Sequence, residues 1–286
     1  MRTPLLLLLA LTVLLAACSR VGLAYRNLDW IIPWKLGDYV ELNSEQAAWL
    51  EPRVQQHLNW HCSVELPRYL DWLQHSQQAL ANRDSQLMVE QLNGFEQAMQ
   101  RIAVEITPST IELLRGLNPL QVERLYAELD EQNQELREKL LEPPLDEQIG
   151  LRDERMTERL QPWFGNLNPE QRERVKNWAR ELGAQNQVWL DNRLAWQQAL
   201  RDALETRRGD DFAQRVTALL QHRERFYTEA YQASYQTNRQ AMAEMLVDIV
   251  AVADAKQLQR ASERLEALRA DLAAQQCSRD ETLARR

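Results

Sequence analysis

Four short stretches of this 286-residue chain fix where helices must begin. Leu42-Asn43-Ser44-Glu45-Gln46 recurs as Leu117-Asn118-Pro119-Leu120-Gln121 and as Leu167-Asn168-Pro169-Glu170-Gln171, with a degenerate copy at Asp254-Ala255-Lys256-Gln257. Each reads as a capping box. The Asn or Asp side chain accepts a hydrogen bond from an orphan amide of the first turn, and the Gln three residues on reaches back to the cap. Pro119 and Pro169 stand at the first helical position, where the missing N–H would be unpaired anyway. The preceding leucine can staple onto the fourth helical residue, Ala47 weakly and Val122 more effectively.

Between these starts the apolar residues keep helical spacing. Ala47, Leu50, Val54, Leu58 and His61 share one stripe, which Pro52 is expected to kink. Pro67 opens another with Leu70, Leu73 and Leu80. Met88, Leu92, Phe95, Met99, Ile102 and Ile106 predict a core-facing stripe ended by Thr107-Pro108. The helix capped by Asn118 continues through Val122, Leu125, Leu129, Leu136 and Leu140 to Pro143-Pro144. Leu145, Ile149, Met156, Leu160 and Trp163 follow. From Pro169 the pattern predicts one helix of about 60 Å running through Gly183 to Arg208-Gly209. Val175, Trp178, Leu182, Trp189, Trp196 and Leu200 lie on its buried face. The chain then returns through Phe212, Val216, Leu219, Phe226, Met242, Met245 and Ile249, and closes with Leu258, Ala261, Leu265, Leu268 and Leu272. With 8 Gly and 10 Pro in the whole chain and no β-branched alternation, the fold class is all-α. The expected architecture is an elongated bundle of long antiparallel helices with capped starts.

Upstream of the first cap the pattern changes. Arg2 precedes an apolar run from Leu5 to Leu15, too short for the roughly 20 residues of a membrane span but suited to the core of a secretory signal. The run ends in Leu15-Ala16-Ala17-Cys18, which resembles the lipobox of bacterial lipoproteins. That resemblance implies removal of residues 1–17 and attachment of lipid, such as palmitate, to Cys18. Ser19 in the next position implies sorting to the outer membrane. The plainer alternative is an ordinary signal peptide cut near Ala17. In residues 18–42, Tyr25, Leu28, Trp30, Ile31, Ile32, Trp34 and Tyr39 crowd around Pro33 and Gly37. An irregular segment packed on the bundle is expected there, the alternative being rings at the level of lipid headgroups. The organisation expected is thus a signal peptide (1–17), an aromatic-rich segment (18–42), a helical bundle (43–277) and a disordered tail (278–286).

Without residues 1–17 the chain carries 33 basic against 42 acidic residues, a net charge of −9. That balance disfavours nucleic acid and leaves membrane attachment to the lipid. No 20-residue apolar run follows Cys18. His57 and His61 stand one helical turn apart and could share a metal, but position 58 is Leu where a metalloprotease helix carries Glu, and His61 lies on the apolar stripe. A hydrogen-bonded core histidine is the stronger reading. Cys62 and Cys277 are the thiols left once Cys18 is acylated, and in an exported chain they are expected to form a disulfide. The Trp178, Trp189 and Trp196 stripe reads as core in preference to a client surface. No carboxylate dyad, phosphate loop or nucleophile elbow is present, so neither a catalytic activity nor a cofactor is expected.

Cys18-Ser19-Arg20, Tyr25-Arg26-Asn27-Leu28-Asp29-Trp30, Trp60-His61-Cys62 and Cys277 together resemble a family of uncharacterised lipoproteins of Gram-negative bacteria, known as a domain of unknown function. The resemblance implies location and fold and no particular activity. The Leu-Asn-x-x-Gln starts are similar to the Leu-Thr-x-x-Gln motifs of Spy-like periplasmic chaperones, helical cradles that hold unfolded clients without ATP, although Asn replaces Thr here. The expectation is therefore an envelope protein held in the outer membrane by its lipid, facing the periplasm, with a structural or protein-interaction role. An anchored holdase is the alternative.

Overall fold

The computed structural model describes residues 20–275 and 277. The signal peptide, Cys18, Ser19 and the 278–286 tail lie outside the described residues. The described residues form helices joined by short turns and contain no strand. In chain order the helices are α1 (Arg20–Arg26), α2 (Leu28–Tyr39), α3 (Ser44–Trp60), a π-helical turn (His61–Glu65), α4 (Leu66–Asn82) and α5 (Ser85–Arg115). They continue with α6 (Pro119–Leu141), α7 (Leu145–Phe164), α8 (Pro169–Glu181), α9 (Gln185–Glu205), α10 (Phe212–Gln221), a 3-10 turn (Arg223–Phe226), α11 (Glu229–Ala251) and α12 (Ala255–Ala273).

All four capping boxes close, at Asn43, Asn118, Asn168 and Asp254. They also meet in pairs, which local sequence does not reveal. The amides of Gln46 and Gln121 face each other, Gln121 Nε2 lying 2.6 Å from Gln46 Oε1 and Gln46 Nε2 3.1 Å from Gln121 Oε1. Gln121 also donates to Glu41 O at 2.7 Å, and Gln46 to Gly116 O at 3.1 Å. In the second pair, Gln257 Nε2 donates to Gln171 Oε1 at 2.9 Å and to Asn166 O at 3.1 Å. A glutamine that caps its own helix and crosses to another helix start welds two starts together. Gln121, Gln171 and Gln257 are buried for this reason, with their amides hydrogen-bonded.

Each pair sits beside one hydrophobic core. The first core packs Leu117, Val122, Leu125 and Leu129 against Leu200 and Leu204 of α9 and Phe212, Val216 and Leu219 of α10. The second packs Met156, Leu160 and Phe164 of α7 against Val175 and Trp178 of α8, Met245 and Ile249 of α11 and Ala261 of α12. A third, smaller cluster joins Cys62, Leu66 and Leu73 to Leu272.

Several expected boundaries move. The helix expected to end at Thr107-Pro108 runs on to Arg115, with Pro108 inside it. Pro108 removes one backbone bond, but Thr107 Oγ1 donates to Ala103 O at 2.5 Å and Thr110 Oγ1 to Ile106 O at 3.0 Å, while α10 packs along this part of the bundle. Pro67 stands in the first turn of α4, as expected, but α4 runs on from α3 without a break. The π turn carries α3 into α4 just before it, where Pro67 would otherwise fail to bond Ser63 O. The segment expected to be irregular before Asn43 forms α1 and α2.

The expected 60 Å helix is two helices. Gly183 adopts φ +50°, a left-handed conformation that suits glycine, and α8 ends at Glu181. The partner of this break is Arg152 of α7, whose buried guanidinium donates to Ala179 O at 2.8 Å and Gly183 O at 3.1 Å. A cation at a helix C-terminus satisfies carbonyls that have no partner within the helix. Burial pulls the Arg152 pKa below its ordinary value. Arg152→Met should therefore destabilise the fold by about 2–3 kcal/mol, read as a lower urea midpoint at constant slope.

Candidate interaction surfaces and the turn that joins them

The π turn gathers side chains from distant parts of the chain. His61 receives two tyrosines, with Tyr25 OH of α1 3.0 Å from Nδ1 and Tyr69 OH of α4 3.2 Å from Nε2. Cys62 is disulfide-bonded to Cys277, their Cα atoms 5.5 Å apart. Glu65 is fully buried, and Arg101 of α5 donates through Nε to its two oxygens at 2.8 and 2.9 Å. Arg68 Nη1 adds a third bond at 2.7 Å. One extra residue in a helix thus turns His61, Cys62 and Glu65 toward three different neighbours, a use that π turns serve often.

Electrostatics follow from this packing. Burial opposes ionisation of Glu65, but the hydrogen bonds and charge of Arg101, with the charge of Arg68, hold its carboxyl below the usual range. Burial lowers the His61 pKa against a smaller opposing pull from Glu65. It pushes Tyr25 up to about 12, with Tyr69 adding to the shift. A neutral imidazole between two neutral phenols is a structural tie.

His57 lies one turn earlier and finds its partners on α5. Its Nδ1 pairs with Glu105 Oε1 at 3.0 Å and its Nε2 with Ser109 Oγ at 2.9 Å. The two candidate metal ligands therefore spend all four ring nitrogens on different partners and do not converge. Among the described residues no group of three or more His, Cys, Asp or Glu is placed to hold a metal ion.

Exposed apolar residues concentrate on two surfaces. On α2, Trp30 and Trp34 are 64 % and 52 % exposed and stack with ring centroids 5.6 Å apart. The second surface runs along α5, where Phe95 and Met99, expected in the core, are 65 % and 44 % exposed. Helical spacing places a side chain on a face but does not supply the helix that covers it. Beside Phe95 a groove of about 630 Å³ is lined by Glu96, Tyr231, Tyr235, Arg239 and Met242. Tyr227, Tyr231 and Tyr235 touch in succession, the first pair edge-to-face and the second tilted, with neighbouring centroids 4.7 and 5.7 Å apart. Their spacing of four residues was a legible signal. Tyr235 OH donates to Glu96 Oε1 at 2.7 Å, and Arg239 Nε pairs with the same oxygen at 3.0 Å.

A second groove on the opposite flank of α5, about 540 Å³, is lined by Tyr69, Trp72, Phe95, Met99 and Leu268. Gly94 makes it possible. A Cβ there would lie 2.7 Å from the Trp72 indole, whose Nε1 donates to Gln91 O at 2.8 Å. Of the tryptophan stripe expected in the core, Trp178 is buried and Trp196 is tied to Leu219 O at 2.9 Å, whereas Trp189 lies on the surface.

Among the described residues no helix is long and apolar enough to cross a membrane. Comparison with curated proteins and with solved structures finds no match. Residues 38–232, well over half of the chain, match the profile of a family of unknown function (DUF6279), and the chain belongs to that family.

Proposed function

We propose that this protein is a lipid-anchored component of the bacterial envelope, held in the outer membrane through acylated Cys18, that presents a helical surface to a protein partner and catalyses no reaction. The observation that carries the reading is the groove along α5 and α11. Phe95, Tyr231, Tyr235, Arg239 and Met242 belong to the residue types that dominate binding hot spots, and they line one groove, Phe95 exposed at its edge and the others half-buried. The carboxylates and guanidinium groups around them are engaged with one another, as in the Glu96–Arg239 pair, which suits recognition more than acid–base work.

Two measurements test the two halves. Cys18→Ala should abolish incorporation of labelled palmitate, and a variant that keeps the label overturns the anchor. Phe95→Glu should leave the fold intact, because the side chain is exposed, and should remove a discrete cross-linked protein adduct seen with the native chain in intact envelopes. An unchanged adduct pattern would move the partner surface elsewhere.

The holdase is the second reading, favoured by Phe95, Met99 and Val104 standing exposed along one helix. Suppression of aggregation of several unrelated denatured clients without ATP, lost in Phe95→Glu, would place it first.

A further inference from the structure

A surface helix normally turns its apolar side to the body and its charged side to water. Helix α2 departs from this. Leu28, Ile31, Leu36 and Tyr39 are half-buried on the side packed against α3 and α6, where Tyr39 OH donates to Gln132 Oε1 at 3.0 Å. The opposite side carries Trp30 and Trp34, their rings within 4° of parallel, with Lys35 Nζ 4.7 Å from the Trp34 centroid.

We propose that this outer face of α2 lies against the headgroup layer of the membrane, the two indoles at the water–lipid interface. The inference rests on the proposal that Cys18 is acylated. Three observations select a bilayer as the occupant. First, Trp30 stands only twelve residues after Cys18 in the sequence, and the path from Arg20 to Trp30 is almost wholly helical, about 15 Å long at most, which keeps the indoles near the anchor. Second, residues 20–39 carry three basic side chains (Arg20, Arg26, Lys35) against two acidic ones (Asp29, Asp38), in a chain whose net charge is −8. A locally positive segment on an acidic protein suits an anionic lipid surface. Third, tryptophan flanked by lysine is the side-chain pairing favoured at that depth, with the ring in the interface and the ammonium in the headgroups.

The face is held in place. The Tyr25–His61 bond fastens α1 to the π turn, and α2 packs on α3 and α6. Contact at α2 would therefore set the attitude of the whole bundle relative to the membrane. It would also add a second hydrophobic signal to the lipid, which stable anchoring requires when the first is marginal.

The test uses the full acylated chain in vesicles of phosphatidylethanolamine and phosphatidylglycerol, with a photo-cross-linking residue at position 30, 34 or, as control, 189. Phospholipid adducts at 30 and 34 should exceed those at 189 by about tenfold, since the aromatic interface is shallow and local. Equal yields at all three positions, or adducts only to a second copy of the chain, overturn the inference while the palmitate label still supports the anchor. A chain without the label refutes the anchor instead. In that case lipid adducts confined to 30 and 34 would sustain the α2 contact, and their absence would end it.

Discussion

Cys277→Ser is expected to cost about 5 kcal/mol of unfolding free energy, because the bond it removes closes a loop spanning 215 residues. In the chain-entropy account the cost arises in the unfolded state, which gains freedom when the cross-link is lost. The variant should therefore show a steeper dependence on urea as well as a lower midpoint, its denatured chain being more expanded. Locally, the bond holds the end of α12 onto Leu66 and Leu73 through the Cys62–Leu272 cluster, so amide exchange should rise first in the last turns of α12. Urea unfolding of both proteins, with and without reductant, provides the check. Reductant should bring the native protein to the variant and leave the variant unmoved. A difference below about 1 kcal/mol would mean that the bond is energetically idle.

Glu65→Gln should cost about 2–3 kcal/mol, as the buried carboxylate loses its charge-assisted bonds to Arg101 and Arg68 while water screens the two part-exposed guanidinium groups. Arg101, half-buried, would lose the carboxylate to which it donates two bonds. The pH dependence gives a separate signature. The folded Glu65 carboxyl titrates below its ordinary value of 4.5. On acidification the unfolded chain takes the proton first, so the Glu65 contribution is complete above about pH 4.5 and is lost as pH falls through the lower folded pKa. His61 acts in the same direction but higher, because burial depresses its pKa from 6.5 and stability declines once pH drops below that value. Stability measured from about pH 6 down to pH 3 should fall more steeply in the native protein than in Glu65→Gln. Parallel curves would place the acid sensitivity elsewhere.

The parts of this fold that the sequence announced are those decided within one turn of helix. The four caps involve residues three apart, and all four close where the pattern places them. Other features depend on contacts that no local window contains. Gly183 ends α8 in company with Arg152, 31 residues earlier. Pro108 fails to end α5 in a helix backed by threonine hydroxyls and by α10. Phe95 and Met99 keep perfect core spacing yet face outward, because periodicity defines a stripe and tertiary packing decides whether anything covers it. At the π turn, the pairing of Cys62 with Cys277 was legible from the cysteine count and the expectation of export. The ion pairs of Glu65 carried no comparable signal, since acidic residues at helical spacing occur all along the chain.

The two main cores interleave along the chain, the first drawing on Val40 through Leu219 and the second on Leu80 through Ala261. A chain delivered from its N-terminus can complete neither core as an early, self-sufficient unit. Cys62 emerges long before Cys277, and at 5–20 residues per second the 215 residues between them take about 10–40 s to make. During that interval the chain offers Cys62 one other thiol, at Cys18. On the proposed anchor, acylation of Cys18 closes off that wrong partner, so the lipid also acts as a protecting group while Cys62 waits for its mate.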